Sequence, residues 1–209
     1  RDQRRSGALA LLKPNVGDLG GVRADPKFSQ ETVRTNFAPD KTLTGQDAIQ
    51  QDASGAYAIE NASKLLDEYA GLHGNEVSAD KFKDLLRQIG YTGLNSEIYH
   101  SAASALGKAY QKVLLAQAKK AGKTEIVATA GGSGSGKSTT LDEIPAGEKS
   151  GYAMLLDGKL ADYERAVTNL KSFEKMGFKV KEIVYFYRDP VESWINGVLS
   201  RIASKQDYR

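Results

Sequence analysis

A glycine-rich run in the middle of the chain has residue types and spacing suited to holding a phosphate. It reads Gly131-Gly132-Ser133-Gly134-Ser135-Gly136-Lys137-Ser138-Thr139. This order fits G-x-x-x-x-G-K-[ST], the P-loop pattern, in which glycines let backbone N–H groups turn toward phosphate oxygens. Lys137 is expected to reach the β- and γ-phosphates of a nucleotide, and Ser138 is expected to coordinate Mg²⁺. The run therefore predicts a site for ATP and Mg²⁺.

The segments on either side of this run predict the strand and the helix that a P-loop needs. Before it, residues 125–130 form a short apolar run with β-branched members, which is typical of a buried strand. After it, residues 138–141 are predicted to open a helix, whose N-terminus adds partial positive charge beside the phosphate. The alternative is a Gly/Ser linker that matches the pattern by accident. A linker requires neither the Lys-Ser pair nor the preceding strand.

Asp157 is the second residue with a clear chemical interpretation. It ends the apolar run 152–157, and an acid after four apolar residues is the usual second acidic signature of P-loop proteins. Two roles fit Asp157, alone or together: it can hold Mg²⁺ through water, and it can take the proton from an attacking hydroxyl. The alternative is that Asp157 caps the following helix. Asp162, in the first turn of that helix, is instead predicted to be a helix-start charge.

The composition limits the classes of function. The chain has 209 residues, of which 40% are hydrophobic and 26% are charged, as in an ordinary globular protein. The net charge of +3 comes with scattered positive residues, which does not favour nucleic-acid binding. The lack of cysteine excludes disulfides and thiolate metal sites. His73 and His100 lie in unrelated segments and do not predict a metal site.

The sequence also bears on the cellular location. No apolar run has the length of a membrane span and no secretory signal is evident, so a cytoplasmic protein without membrane contact is expected. The chain begins with Arg1 rather than Met, which suggests that it is a fragment.

The pattern of residues divides the chain into three segments. Residues 1–43 are rich in proline and glycine and are predicted to be extended or irregular. Residues 44–122 show helical periodicity, with helices predicted over about 44–72, 78–89 and 95–120. Ser78 is the predicted N-cap of the second of these. Residues 123–209 form a predicted α/β domain with a P-loop, which could be truncated at its C-terminus.

The connection at residues 72–80 lies between two predicted helices, as a calcium loop does. If Val77 takes the central hydrophobic position, the ligand positions fall on Ala70, Leu72 and Gly74, which offer no side-chain oxygen. The sequence therefore predicts a plain helix–turn–helix connection.

Strands and helices alternate after residue 150, which predicts a parallel sheet with right-handed crossovers. A helix is predicted from about Leu160 to Phe173, a strand over 180–187, and a helix over 192–203. Since ligands bind at the carboxyl ends of such strands, Asp157, Arg188 and Asp189 are expected to converge on the nucleotide. The predicted fold class is α/β, a P-loop kinase-like parallel sheet flanked by helices and preceded by a small all-helical region.

The P-loop and the residues after it resemble the zeta-toxin family of kinases. The shared order is the P-loop, a strand, the run 156–160, a long helix, the run 177–180, a strand ending at 187–190, and the run 196–201. The resemblance covers roughly residues 124–203 and is closest to zeta-like domains of phage, plasmid and bacterial effector proteins. Its downstream order is more specific than the P-loop alone, which many families share.

This resemblance implies ATP- and Mg²⁺-dependent phosphoryl transfer to a hydroxyl of a nucleotide-linked small molecule. The best-known acceptor in the family is UDP-N-acetylglucosamine, and related effectors phosphorylate a dinucleotide cofactor. Carried across by position, Lys137 and Ser138 hold phosphate and Mg²⁺, Asp157 is the acid of the next aligned strand, and Arg201 is the helix arginine that steadies the transferred phosphate. The resemblance also implies a toxin- or effector-like role in the cytoplasm of the producing or target cell, and a small helical antitoxin or inhibitor protein as a partner.

The chain departs from the family after the P-loop helix, and it also stops at Arg209, before the arginine-bearing lid and C-terminal region that family members have. Zeta toxins usually carry a further strand with a catalytic aspartate soon after the P-loop helix, and here only Asp142, Glu143 and Glu148 supply acids in that interval. Either Asp157 serves as the base in a shortened form, or the base is absent. Two alternatives to the kinase therefore remain: a P-loop NTPase module of a larger mobile-element protein, and a nucleotide-binding protein without turnover.

Overall fold

Residues 25–132, 135–158 and 162–199 are described by a computed structural model of the protein. Within them the fold is α/β, with a four-stranded, all-parallel sheet flanked by helices. The strands are β1 (Glu76–Ser78), β2 (Glu125–Ala130), β3 (Met154–Asp157) and β4 (Lys179–Tyr185).

The helices fall into two groups, before and after β2. Those before it are α1 (Pro26–Asn36), α2 (Gly45–Glu60), α3 (Ala62–His73), α4 (Ala79–Asp84) and α5 (Ser96–Lys120), with a 3₁₀ turn at Arg87–Ile89. Those after it are α6 (Lys137–Glu143), α7 (Ala146–Lys149), α8 (Tyr163–Lys175) and α9 (Pro190–Glu192), followed by a π-helical stretch at Ser193–Leu199.

The sheet order is β1-β3-β2-β4, so the strand before the P-loop lies between β3 and β4. Asp157 at the end of β3 is in register with Ser78 of β1 on one side and with Thr129 of β2 on the other. The carboxyl ends of these three strands therefore meet in one row.

β1 corrects two expectations from the sequence. The segment expected to be a plain helix–turn–helix connection, within an all-helical region, contains a buried strand that joins the sheet. The Asn75 side chain fixes this strand by donating to the backbone carbonyls of Lys149 and Tyr152, at 2.6 and 2.9 Å. Ser78 precedes α4 as predicted, but its side chain makes no capping hydrogen bond.

The other boundaries were predicted with mixed success. The long helix expected over 95–120 is confirmed by α5, whereas the helix expected over 44–72 is two helices that meet at Asn61. The expectation of irregular structure before residue 44 is wrong at α1, where Asp25 caps the first turn and Pro26 occupies its first position. Residues 1–24 lie outside the described part of the chain.

The helices before β2 and the sheet share one hydrophobic core. Helix α5 contributes most to it, because alanines and Leu106 along its length are buried against α1, α2 and α4. Phe82 of α4 stacks on Tyr69 of α3 with ring centroids 3.6 Å apart. The same cluster includes Ile126 and Met154 from the sheet. The sheet is thus held by helices that come from the part of the chain before the P-loop.

Candidate nucleotide-binding site

The glycine-rich run adopts the strand–loop–helix arrangement that its sequence predicts. Strand β2 ends at Ala130, and α6 begins at Lys137. Gly131 and Gly136 have φ angles of +145° and +96°, in the region that favours glycine. Ser133 and Gly134 lie outside the described residues. The loop therefore leaves the carboxyl end of a buried parallel strand and leads into a helix N-terminus, where a phosphate is stabilised.

Gly131 also lies against the neighbouring strand segment. The backbone N–H of Phe186, just after β4, donates to the carbonyl of Ala130 at 2.8 Å. A Cβ on Gly131 would come within 2.5 Å of the Phe186 carbonyl oxygen. Glycine is therefore required here by both the backbone angle and the close approach of Phe186.

Lys137 lies across the loop. Its Nζ donates to the carbonyls of Gly131 and Gly132 at 2.7 and 2.8 Å. The Ser135 hydroxyl also donates to the Gly132 carbonyl, at 2.9 Å. Ser138 and Thr139 follow in the first turn of α6 and are exposed. The ammonium thus lies at the loop, where a phosphate would offer it anionic oxygens in place of neutral carbonyls.

Asp157 accepts hydrogen bonds from two neighbouring strands. The Thr129 hydroxyl donates to its Oδ1 at 3.0 Å, and the Ser78 hydroxyl donates to its Oδ2 at 3.2 Å. The carboxylate is half-buried beside the strand that carries the P-loop. Asp162, expected as a charge within the first turn of α8, is its N-cap: it precedes the helix and accepts from the Arg165 backbone N–H at 3.0 Å. Asp157 is therefore held in the row of strand ends and does not cap α8.

Two further residues expected at the site have local partners instead. Asp189 caps α9, accepting from the backbone N–H groups of Val191 and Glu192 at 2.9 and 3.2 Å. The Arg188 guanidinium lies 3.8 Å from the Glu192 carboxylate, and both side chains are exposed. The structure thus places Arg188 and Asp189 in the turn into α9. Arg201 lies outside the described residues.

Sequence reasoning missed Ser78 and Thr129 as members of the site. Thr129 is a hydroxyl residue among the apolar residues that follow Glu125 in β2, which is the one local signal that it faces a polar partner. Ser78 was predicted as a helix N-cap, and nothing local indicates its pairing with a residue 79 positions away.

The oxygen atoms in this region fit the cofactor that the motif implies. Mg²⁺ at nucleotide sites usually takes one or two carboxylates or hydroxyls together with phosphate oxygens and water. Asp157 and the exposed Ser138 offer donors of these types. The described residues contain no group of three or more His, Cys, Asp or Glu side chains placed to hold a metal.

Within the described residues the fold is α/β, and the glycine-rich run lies between strand β2 and helix α6 at the carboxyl edge of the parallel sheet. Comparison with known proteins found no matching family model and no match among curated proteins. In the described part of the chain, no helix combines the length and the apolar character needed to cross a membrane.

Proposed function

We propose that the protein is an ATP- and Mg²⁺-dependent phosphotransferase, similar to zeta-toxin kinases, that acts on a hydroxyl of a nucleotide sugar or dinucleotide. The observation that carries the proposal is the row of Ser78, Asp157 and Thr129 beside the P-loop strand. A phosphate-binding loop and an oriented carboxylate on adjacent parallel strands are the two parts that phosphoryl transfer needs most.

Each part has a role in this proposal. The loop amides and Lys137 hold the β- and γ-phosphates, and Lys137 exchanges the carbonyls of Gly131 and Gly132 for phosphate oxygens. Ser138 and Asp157 would hold Mg²⁺, which when bound neutralises charge on the phosphates. Asp157 also offers an oxygen to the acceptor hydroxyl, whose proton must leave as the phosphoryl group arrives. Arg201, a toxin-like role and an inhibitor partner belong to this proposal through the resemblance alone.

An NTPase that couples nucleotide turnover to a change of shape is the second candidate, and one contact favours it. Lys81, from the part of the chain before the P-loop, forms an ion pair at 2.8 Å with Asp142 at the end of the P-loop helix. A movement of α6 on nucleotide binding would therefore be transmitted to α4.

ADP release by the purified protein separates the two candidates. The assay contains ATP and Mg²⁺, with or without UDP-N-acetylglucosamine, other nucleotide sugars, or a dinucleotide such as NAD. Release that depends on one of these acceptors supports the kinase, and equal release without acceptor supports the NTPase. Lys137→Ala should abolish release and weaken ATP binding, while Lys171→Ala, at an exposed lysine of α8, should change neither. Wild-type turnover by Lys137→Ala would overturn the P-loop assignment.

A further inference from the structure

We propose that Ser78 is a positioning residue for the phosphoryl transfer, acting through the Asp157 carboxylate. The inference rests on the proposed function and deepens it. It makes the strand β1, which precedes the P-loop by about fifty residues in the printed sequence, a part of the nucleotide site rather than of a separate helical region.

The first support is the geometry around the carboxylate. An aspartate carboxylate rotates easily, because its terminal torsion has a broad, two-fold energy profile. Here each oxygen accepts a hydroxyl from a different strand, Thr129 on Oδ1 and Ser78 on Oδ2. These two donors lie on the strands that flank β3, and together they fix the plane of the carboxylate. Without Ser78, only the Thr129 hydroxyl of β2 would orient it.

The second support is that Ser78 is itself held on both sides of its backbone. The Tyr69 hydroxyl accepts from the Ser78 N–H at 3.0 Å and donates to the Ser78 carbonyl at 3.4 Å. Tyr69 is fully buried and stacks on Phe82. Burial raises the pKa of Tyr69 well above its usual range, so the hydroxyl keeps the proton that it donates. Tyr69 therefore holds the backbone of Ser78, and the Ser78 side chain in turn holds Asp157.

The third support is burial. Ser78 is 3% exposed and Thr129 is 2% exposed, so water has little access to replace either hydroxyl. Removal of the Ser78 hydroxyl should therefore leave Oδ2 of the half-buried Asp157 carboxylate without its donor from β1. The P-loop follows β2, which β3 separates from β1. The loss of the Ser78 hydroxyl should therefore leave the contacts between the loop and a bound phosphate unchanged.

Ser78→Ala tests the inference, and Ser101→Ala is the matched control. Ser101 is also a buried serine, and its hydroxyl donates to Gln51 of α2 rather than to a residue of the sheet. We expect Ser78→Ala to lower kcat on the order of tenfold, to leave the KM for ATP within about twofold, and to raise several-fold the Mg²⁺ concentration for half-maximal ATP binding. Ser101→Ala should change none of these. Thr129→Val, which removes the other donor with little change of shape, should act in the same direction as Ser78→Ala.

A double-mutant cycle distinguishes positioning from a general structural effect. If Ser78 acts through the carboxylate, Ser78→Ala should cost much less in an Asp157→Asn background than in the wild type. Equal costs in both backgrounds, or an unchanged Mg²⁺ midpoint in Ser78→Ala, would overturn the inference. The binding measurement needs no turnover, so it decides on Ser78 even if no acceptor is phosphorylated, an outcome that would instead count against the proposed function.

Discussion

The ammonium of Lys81 in α4 lies 2.7 Å from the Glu76 carboxylate of β1 and 2.8 Å from the Asp142 carboxylate in α6. The side chain of Glu76 is 2% exposed and that of Lys81 is 11% exposed, whereas Asp142 is largely exposed. Burial raises the pKa of Glu76, and Lys81 opposes that rise. Burial alone would lower the pKa of Lys81, but Glu76 and Asp142 together raise it. This ion-pair cluster ties the edge strand β1 to the helix that follows the P-loop.

Lys81→Met should destabilise the protein strongly. Removal of one partner of a buried ion pair leaves the other charge uncompensated, at a cost of about 3–5 kcal/mol in the free energy of unfolding. Denaturant titration measures this change. The double variant Lys81→Met/Glu76→Gln should recover much of the loss, because no buried charge remains. A Lys81→Met protein as stable as the wild type would contradict the role assigned to the cluster.

Asp157→Asn should slow acceptor-dependent ADP release on the order of 10²–10⁴-fold, the usual span for loss of a general base. ATP affinity should change far less, because the loop amides and Lys137 still hold the phosphates. The thermal midpoint should also stay close to that of the wild type, since the asparagine keeps an oxygen acceptor for one of the two hydroxyls. A normal rate in this variant would remove Asp157 from the chemistry.

Gly131→Ala should distort the phosphate loop. The new Cβ would approach the Phe186 carbonyl oxygen to 2.5 Å on a backbone with a φ angle of +145°. Backbone strain of about 1–3 kcal/mol, if it falls on the phosphate-binding form of the loop, corresponds to a loss of ATP affinity of about 5- to 160-fold, measurable by calorimetry. Gly147→Ala is the control, because nothing lies within 4 Å of a Cβ there and the residue is in a helix. Equal ATP affinities of the two variants would contradict this account of the loop.

His73 should make stability depend on pH. Burial, aided by repulsion from Lys81, lowers the pKa of His73 from its ordinary value of 6.5 to about 4. The other charged groups that act on it are Asp142, Asp84 and Lys149. The native state therefore keeps the imidazole neutral between these two pKa values, whereas the unfolded state binds a proton there. The contribution of neutral His73 to the free energy of unfolding is fully present above about pH 6.5 and is lost as pH falls toward 4.

Comparison of His73→Gln with the wild type isolates this effect. The difference between their unfolding free energies should be constant above about pH 6.5. As pH falls from 6.5 to 4, the wild type should lose stability relative to the variant, since glutamine binds no proton in either the native or the unfolded state. His100→Gln, at the exposed histidine of α5, is the control. A difference that stays constant from pH 7.5 to 4 would show that His73 titrates alike in both states.

Local patterns predicted the elements of the site that lie close together in sequence. The P-loop, its preceding strand and the strand that ends at Asp157 could be identified because each combines an apolar run with a characteristic polar residue. The helix α5 could be predicted because its apolar stripe runs over many turns. The role of Asp189 as the N-cap of α9 could also have been predicted, because an aspartate before a proline is a common helix-start pattern.

β1 could not be predicted for a physical reason. It has three residues, Glu76, Val77 and Ser78, and two of them are polar, so no alternation or apolar run marks a strand. The strand can be buried because Lys81 neutralises the charge of Glu76 and because the hydroxyl of Ser78 donates to Asp157. Both conditions arise from tertiary contacts, and the second involves a distant part of the chain.

The position of β1 also has a consequence for synthesis on the ribosome. Ser78 and Asp157 are 79 positions apart, and among the described strands β1 pairs with the later strand β3 alone. At translation rates of about 5–20 residues per second, β1 emerges roughly 4–16 s before its pairing partner. The aromatic stack of Tyr69 and Phe82 can form in that interval, because both residues emerge with β1. The upstream helices would then be packed together first, and the row of Ser78, Asp157 and Thr129 would form only when β3 docks between β1 and β2.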